Sequence, residues 1–364
     1  MAGSVFGKQF QISTFGESHG KALGVVVDGV PAGLELSEAD IQEFLNRRKP
    51  GQSRFSTKRN EADRVEILSG VFEGKTLGTP IGMVIYNGDQ KSKDYSNIKD
   101  VFRPGHADFG FYEKFGFRDY RGGGRSSGRE TIGRVCAGAI ASKILKQLGV
   151  SVLAYTKSIG DAEVECFDKD EILKNAFYMP DEAASKKAAG IVTKAMEEKD
   201  SVGGVVECVI SGMPAGVGEP VFDKLDARLA QAVFSIGAVK GFEIGDGFLA
   251  AKKKGSENND AFLVKDGKVI KETNHAGGIL GGISDGSDII FRAAIKPTPS
   301  IAQIQHTLDE SLKETKIEIT GRHDPVIVPR AVVVVESMAA MVCLDALMEN
   351  MASKMDSIVS FYKR

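Results

Sequence analysis

Five arginines, three consecutive glycines and a pair of serines lie in the stretch 118–134, RDYRGGGRSSGRETIGR. Ser127 and Glu130 have the spacing of a capping box directly before an apolar-periodic run, which predicts a helix start. Backbone N–H groups, the positive end of a helix dipole and several guanidinium groups would then lie beside a glycine loop. This combination favours binding of a phosphate or a carboxylate. The alternative is a solvated RGG-like segment that touches RNA, although such segments are usually disordered and repeated.

Arginines are concentrated in one part of the chain. Of the 16 arginines, 11 lie between Arg47 and Arg134, whereas the lysines are scattered. The guanidinium fork binds carboxylate and phosphate groups through paired hydrogen bonds. Because the formal net charge is only −2, the clustering indicates a polyanionic ligand in one site and argues against a general nucleic-acid-binding surface. For any single arginine, a surface ion pair is the alternative.

Two histidines lie where the backbone is stiff. His19 follows a glycine turn and precedes the buried strand predicted at 22–30, and His106 comes directly after Pro104-Gly105. Two such histidines within reach of one arginine cluster suggest acid–base chemistry. A surface or structural role is the alternative for His19.

The order of predicted elements is strands, helix, strands and long helix, given twice. The apolar helices are predicted at 37–49, 127–148, 223–236 and 330–350, and two solvent-exposed helices at 171–179 and 181–198. This order predicts an α+β protein with a single-domain β-α-β sandwich, in which core helices lie between mostly antiparallel sheets, with internal pseudo-duplication. We expect one domain over 1–364, with loop excursions at about 87–100 and 252–271.

The remaining composition excludes several classes of protein. The four cysteines, Cys136, Cys166, Cys208 and Cys343, show no Cys-x-x-Cys spacing, so we expect reduced core thiols and no metal site. The N-terminus lacks the order of a signal peptide, and no apolar run approaches the ~18 residues of a membrane span. These features predict a cytoplasmic protein without membrane or nucleic-acid partners.

Seven motifs, in order and with fitting spacings, resemble the chorismate synthase family. They are GESHG at 16–20, RRKPGQSR at 47–54, RPGHAD at 103–108, RGGGRSSGRET at 121–131, the glycine loop at 277–282, KPTPS at 296–300 and GRHDP at 321–325. The resemblance runs from near residue 5 to near residue 350. Each motif alone is modest evidence, but seven in register are specific.

The resemblance implies a reaction, a cofactor and partners. Chorismate synthases convert 5-enolpyruvylshikimate 3-phosphate to chorismate by anti-1,4-elimination of phosphate, and they require reduced FMN (FMNH2) without net redox change. The substrate and the flavin together bring about six negative charges, which a buried cavity tolerates only when they are paired. The resemblance also implies a homotetramer and, since no reductase-sized region is present, a separate flavin reductase, with NADPH at most an indirect reductant. The other reading is a flavin-binding oxidoreductase without lyase activity.

Site residues follow from the resemblance by matching position. His19 would assist the departing phosphate, His106 would lie near flavin N1, and Asp324 near flavin N5. The cofactor-binding positions are Arg125, Ser126, Ser127, Gly237, Ala238, Gly278, Lys296, Pro297, Thr298, Pro299, Ser300 and Arg322. The positions that bind substrate or NADP are Arg48, Arg54, Arg103 and Arg129, and we favour the substrate.

Two positions depart from the family pattern. Relatives often have Asn at position 237, where Gly237 leaves only backbone for a contact. Asp285 stands where a small residue or Asn is usual, and because its carboxylate would repel a flavin phosphate, we expect it to point away.

Overall fold

The computed structural model describes residues 3–56, 61–88, 98–121, 123–319 and 324–363 of the chain. The α-helices in these ranges are α1 (Glu38–Arg48), α2 (Asp108–Phe115), α3 (Thr131–Gln147), α4 (Glu182–Glu197), α5 (Leu225–Phe234), α6 (Gly255–Asn258), α7 (Val328–Asn350) and α8 (Met355–Tyr362). The four helices predicted to be apolar correspond to α1, α3, α5 and α7.

The helix predicted at 171–179 is wrong. A short 3-10 turn, Lys169–Glu171, is followed there by irregular turns. The Asn175 side chain accepts hydrogen bonds from the backbone N–H groups of Phe177 and Met179, at 3.1 and 3.2 Å. Such side-chain bonds compete with the backbone pattern of a helix.

Strands form two five-stranded sheets and four small hairpins within the described ranges. In chain order the strands are β1 (Val5–Phe6), β2 (Gln11–Gly16), β3 (Ala22–Asp28), β4 (Val65–Ile67), β5 (Val71–Phe72), β6 (Lys75–Thr76), β7 (Ile81–Tyr86), β8 (Ser151–Ile159), β9 (Ala162–Glu163), β10 (Gly204–Ser211), β11 (Val239–Ile244), β12 (Phe262–Lys265), β13 (Lys268–Lys271), β14 (Ile279–Leu280), β15 (Ile283–Ser284), β16 (Ile289–Ile295), β17 (Ile304–Leu308) and β18 (Glu314–Glu318).

Every neighbouring pair of strands in the two large sheets is antiparallel. The first sheet has the order β1-β2-β3-β7-β4, and the second has the order β11-β16-β10-β8-β9. In β3, Val25 and Val27 are buried while Val26 and Asp28 are exposed, as expected for a strand with one face on a core. The protein is therefore α+β, with helices packed on antiparallel sheets.

Two helices occupy the space next to the sheets. Helix α3 packs against β2 and β3, α7 packs against β8 and β10, and the two helices pack against each other. Glycines permit this close packing. A Cβ atom on Gly138 would lie 2.2 Å from the Cβ of Ser337, and one on Gly133 would lie 2.9 Å from Thr14 Cγ2. Larger residues at these positions of α3 would force the layers apart.

Helix α7 is long and apolar enough by composition to cross a membrane, which corrects the prediction that no apolar run approaches that length. However, 83% of its apolar window is buried inside the protein, as expected for a core helix. Two of the cysteines predicted to be core thiols, Cys136 and Cys343, are buried in α3 and α7, and Cys208 is buried in β10. The prediction is wrong for Cys166, which is exposed after β9.

The structure describes all of one predicted loop excursion and only part of the other. Residues 252–271 contain the short helix α6 and the exposed hairpin β12–β13. Residues 89–97 of the first excursion lie outside the described residues.

Candidate active site

Loops at the ends of the core elements surround an open cavity of about 680 Å³. The walls come from the loop after β2, the loop before α2, the first turns of α3 and α7, the turn after α5 and the loop after β16. The predicted site residues that line it are His19, Arg103, His106, Arg125, Ser126, Ser127, Arg129, Gly237, Ala238, Lys296, Thr298, Pro299, Ser300 and Asp324. The three residues predicted to be catalytic thus share one hollow.

The cavity wall carries an excess of positive charge. Among the described residues, seven arginines and lysines line it, against two carboxylates, Glu130 and Asp324. The cations are Arg103, Arg125, Arg129, Arg134, Lys240, Lys296 and Arg330. Such a wall favours a ligand with several negative charges, because buried like charges repel one another until they are neutralised.

The residues before α3 form two 3-10 turns, Gly124–Ser126 and Gly128–Glu130, where the sequence predicted a capping box. Ser127 Oγ accepts a hydrogen bond from the backbone N–H of Arg129 at 3.3 Å. The Glu130 carboxylate instead accepts from Thr14 Oγ1 at 2.9 Å and from Arg134 Nε at 2.8 Å. The capping-box prediction is therefore wrong at Glu130, because charged and hydroxyl donors occupy its carboxylate.

Arg125 and Arg129 are fixed by different partners. Arg125 Nη2 donates to Thr14 Oγ1 at 2.6 Å, and the residue keeps about a quarter of its side chain exposed. Arg129 is buried, with Nε donating to Asn87 Oδ1 at 2.9 Å and Nη1 lying 3.0 Å from Asp63 Oδ1. Its Nη2 atom makes no hydrogen bond to any described residue. A buried N–H donor that has no described acceptor and belongs to a residue of the cavity wall suits an anionic ligand.

His106 belongs to a buried ionic cluster at the start of α2. Its Nδ1 atom lies 2.8 Å from Asp108 Oδ1 and 3.1 Å from Arg103 Nη2. Asp108 also accepts hydrogen bonds from Arg103 Nε at 2.7 Å and from Arg103 Nη2 at 2.8 Å. Burial alone would raise the pKa of the Asp108 carboxyl, but the hydrogen bonds from Arg103 and His106 outweigh it and hold that pKa well below its usual range.

His19 and Asp324 reach the cavity from opposite halves of the chain. His19 is buried, and its Nδ1 atom lies 3.1 Å from Ser18 Oγ, which orients the ring. Asp324 is buried and forms an ion pair with Arg330 on the first turn of α7. Arg330 Nε in turn donates to the carbonyl oxygen of Arg48 at 3.1 Å. Arg330 therefore holds the Asp324 carboxyl group in place.

The loop after β16 closes another side of the cavity. Lys296 Nζ donates to the carbonyl oxygen of Gly105 at 2.5 Å, which ties this loop to the one that carries His106. Burial and the neighbouring Lys240 lower the pKa of Lys296. The backbone N–H of Lys296 donates to the carbonyl oxygen of Ala238 at 2.9 Å. Thr298 Oγ1 is buried and makes no hydrogen bond to a described residue.

Four predicted site residues lie outside the cavity wall, and a fifth is outside the described residues. Arg48 is buried behind the wall, and Arg54 is exposed with its guanidinium 4.7 Å from the ring of Phe55. Gly278 is in the glycine loop, where a Cβ would lie 2.5 Å from the Asp288 carbonyl oxygen. Pro297 also does not line the cavity, although its neighbours do. Arg322 lies outside the described residues.

Arg48 is a hub of contacts inside the protein. Its Nη1 atom lies 2.9 Å from Asp63 Oδ2, Nη2 donates to the Gly128 carbonyl oxygen at 2.8 Å, and Nε donates to Thr131 Oγ1 at 3.1 Å. Burial lowers the pKa of Arg48 to about 9, outweighing the opposing effect of Asp63. The side chain therefore supports the turn that leads into α3.

Asp285 points toward a buried lysine. Its carboxylate lies 2.7 Å from Lys271 Nζ, which also contacts Asp260 at 3.1 Å. Burial would raise the pKa of Asp285, but Lys271 and Ser287 lower it overall. The carboxylate does not line the cavity.

Several cavity residues were not singled out from the sequence. Arg134 is the last arginine of the glycine-rich stretch, and its Nη1 atom donates to Ser235 Oγ at 2.5 Å across the cavity wall. Lys240 and Arg330 belong to none of the motifs. Their one sequence signal is that each lies within a few residues of a predicted site position.

The sequence profile of a family described as Chorismate synthase matches residues 10–348 of the chain. Relatives named chorismate synthase include one from Agathobacter rectalis, 65% identical over the full length of both chains, and one from Lachnospira eligens, 61% identical over the full length of both. A relative of the same name from Methanosarcina barkeri is 55% identical and covers 96% of this chain and 97% of its own.

A solved structure described as the crystal structure of chorismate synthase superposes on this one. The TM-score is 0.75 at 31% sequence identity, and the match covers 98% of this chain and 97% of the other.

Proposed function

This chain belongs to the chorismate synthase family, and on that premise we propose that the positively charged cavity binds 5-enolpyruvylshikimate 3-phosphate and reduced FMN together. The reaction is the anti-1,4-elimination of phosphate to give chorismate, the last common step of aromatic amino-acid biosynthesis. One carbon–oxygen bond and one ring carbon–hydrogen bond break, a new double bond forms, and no net oxidation occurs. The observation that carries the proposal is that His19, His106 and Asp324 line one cavity with seven described cationic side chains.

The cations would neutralise the ligands. The substrate has two carboxylates and one phosphate, and Arg103, Arg129 and Arg134 line the cavity wall. Charge-assisted hydrogen bonds of this kind contribute about 1.5–3 kcal/mol each. Several of them offset the cost of removing such a ligand from water. The donor of Arg129 that meets no described protein acceptor is suited to one of these anionic groups.

The departing phosphate needs a donor as its negative charge grows. His19 is proposed for this role, because it is buried, faces the cavity and is oriented by Ser18. A proton or a hydrogen bond from the imidazole would stabilise the leaving oxygen.

The donor set also fits a flavin phosphate and an anionic ring. We propose that Arg125, Ser126 and Ser127 hold FMN from the α3 side and that Gly237, Ala238 and the loop Lys296–Ser300 hold it from the other side. When bound, reduced FMN supplies electron density to the substrate ring and takes up the hydrogen that leaves. His106 would hold a proton near the flavin N1 position, and Asp324 would accept or return one near the N5 position.

Finer properties of the family are proposed with the reaction. We infer that the two sheet-and-helix halves form a pseudo-duplicated β-α-β sandwich, since each half has a five-stranded antiparallel sheet and one long helix. A homotetramer in the cytoplasm, a separate flavin reductase and NADPH as an indirect reductant complete the proposal.

An anaerobic assay tests the function. Protein, substrate, FMN and dithionite are expected to release phosphate and form chorismate, whereas oxidised FMN alone is expected to give no turnover. Binding is followed separately by the change in the absorbance spectrum of reduced FMN on titration with protein. Phosphate release without any flavin would contradict the proposed role of the cofactor.

A further inference from the structure

We propose that Asp108 is a positioning residue that keeps the proton of neutral His106 on Nδ1, so that Nε2 is the proton-accepting atom. The inference rests on the proposed role of His106 in proton handling and adds the group that sets which nitrogen does it. Asp108 reaches His106 from the first residue of α2 and is buried.

The distances around Nδ1 select one tautomer. Asp108 Oδ1 lies 2.8 Å from this nitrogen, and Arg103 Nη2 lies 3.1 Å from it. If Nδ1 carried a lone pair, it would face a carboxylate oxygen at hydrogen-bond distance with no proton between the two acceptors. That contact is repulsive, and the buried setting makes it more so. If Nδ1 carries the proton, it donates to Asp108.

Arg103 Nη2 also approaches Nδ1, at 3.1 Å, but its shorter contact is with Asp108. Arg103 donates to both oxygens of this carboxylate, through Nε to Oδ2 at 2.7 Å and through Nη2 to Oδ1 at 2.8 Å. The backbone N–H of Arg103 also donates to Oδ2, at 3.1 Å. Arg103 therefore fixes the carboxylate plane, and the fixed carboxylate in turn fixes the imidazole.

Asp108 stays anionic over the working pH range. Its pKa lies well below the usual range, since the hydrogen bonds from Arg103 and His106 outweigh the effect of burial. Arg118 Nη1 adds a second cation 3.7 Å from Oδ1, and Arg118 is itself 3.5 Å from Glu310. From the opposite loop, Lys296 holds the Gly105 carbonyl next to the ring. Within the part of the chain that the structure describes, the charged groups around the dyad are thus Arg103, Arg118, Lys296 and the outer carboxylate Glu310.

The neutral amide in Asp108→Asn makes a sharp test. Oδ2 accepts two donors from Arg103, so the amide oxygen would take that position and the NH2 group would take the place of Oδ1. That NH2 group donates, and it would face Nδ1 at about the distance of 2.8 Å now occupied by Oδ1. We expect the substitution to move the proton of neutral His106 to Nε2, in the same way that replacing an orienting aspartate imposes the wrong tautomer in a catalytic triad.

The experiment uses the full-length protein with 15N-labelled histidine. Long-range 1H–15N spectra distinguish the two tautomers, and His106→Gln identifies the His106 signals among the five histidines. We expect wild-type neutral His106 to be protonated on Nδ1. In Asp108→Asn we expect Nε2 protonation and a kcat that falls by about 100-fold or more with little change in KM.

Glu310→Gln is the matched control, because it alters a carboxylate that contacts Arg118 and not His106. It is expected to leave the tautomer and kcat unchanged. A wild-type protein with Nε2 protonation, or an Asp108→Asn variant with the wild-type tautomer, overturns the positioning role, and the first measurement needs no variant. A changed tautomer with unchanged kcat overturns the proposed role of His106, and with it the catalytic significance of Asp108.

Discussion

Replacing Asp63 by Asn tests how the buried arginines behind the cavity are held. The Asp63 side chain is fully buried and lies between two guanidinium groups, 2.9 Å from Arg48 Nη1 and 3.0 Å from Arg129 Nη1. Asp63→Asn keeps the shape and removes the charge, so both cations lose their shared counterion, although Arg129 keeps the more distant Glu61, 3.6 Å from Nη1. Removing one partner of a buried ion pair costs about 3–5 kcal/mol, because an uncompensated charge stays buried.

This cost converts to a melting temperature. Unfolding entropy of about 2.1 cal/mol/K per residue gives roughly 0.8 kcal/mol per kelvin for a chain of this length. We therefore expect Asp63→Asn to lower Tm by roughly 4–7 °C, measured by differential scanning calorimetry. The pKa of Arg48, already lowered to about 9 by burial, is expected to fall further.

The control for Asp63→Asn is an exposed ion pair of similar geometry. Lys186 Nζ lies 2.7 Å from Glu182 Oε1 on α4, and both side chains are about 70% exposed. Glu182→Gln is expected to change Tm by about 1 °C or less, since exposed pairs contribute little. If Asp63→Asn melts within the same 1 °C of the wild type, Asp63 does not stabilise Arg48 and Arg129 as described.

Two further predictions concern pH and packing. The pKa of Asp108 is lower in the folded protein than in the unfolded chain, so its contribution to the free energy of unfolding is present at neutral pH and is lost as the pH falls below about 4. When unfolding is measured during acid titration, Asp108→Asn should lose less stability than the wild type over this range. Equal dependence of the unfolding free energy on pH in the two proteins would contradict the prediction. A Cβ on Gly138 would lie 2.2 Å from Ser337 Cβ, whereas nothing lies within 4 Å of one on Gly190 in α4. We expect Gly138→Ala to destabilise the protein by about 1–3 kcal/mol and Gly190→Ala to stabilise it by up to about 1 kcal/mol. Urea unfolding measures both changes, and equal stability of the two variants would refute this account of the helix crossing.

Periodicity and end signals predicted the core helices well, because α1, α3, α5 and α7 owe their positions to apolar faces that the sequence displays. The same pattern wrongly predicted a helix at 171–179, because periodicity does not indicate that the Asn175 side chain binds neighbouring backbone N–H groups. At Glu130 the expected local cap is absent, because Thr14 lies more than 100 residues away in sequence and competes for the carboxylate. Long-range partners of this kind leave no local pattern.

The candidate site could be predicted only in part, because long-range partners decide which side chains face it. Motif residues such as His19 and His106 stand out by their stiff backbone, and the structure brings them to one cavity. Arg48 has an equally prominent motif but lies buried behind the wall. Whether an arginine faces a ligand or a carboxylate depends on the position of Asp63, which no spacing rule reveals. Arg330 was missed because it belongs to none of the motifs, and its connection with the site is the ion pair with Asp324 that the fold creates.

The close crossing of α3 and α7 at Gly138 and Ser337 has a consequence for ligand size. Both helices begin at the cavity, where Thr131 and Arg330 line the wall, and the crossing lies about 10 Å further along each helix. The spacing of these two residues thus depends on how near the two backbones come at a point outside the cavity lining. A single methyl group added at the crossing would therefore change the dimensions of the cavity. The size of the ligand that the site accepts can thus be set by packing in the core and not by the groups that contact the ligand.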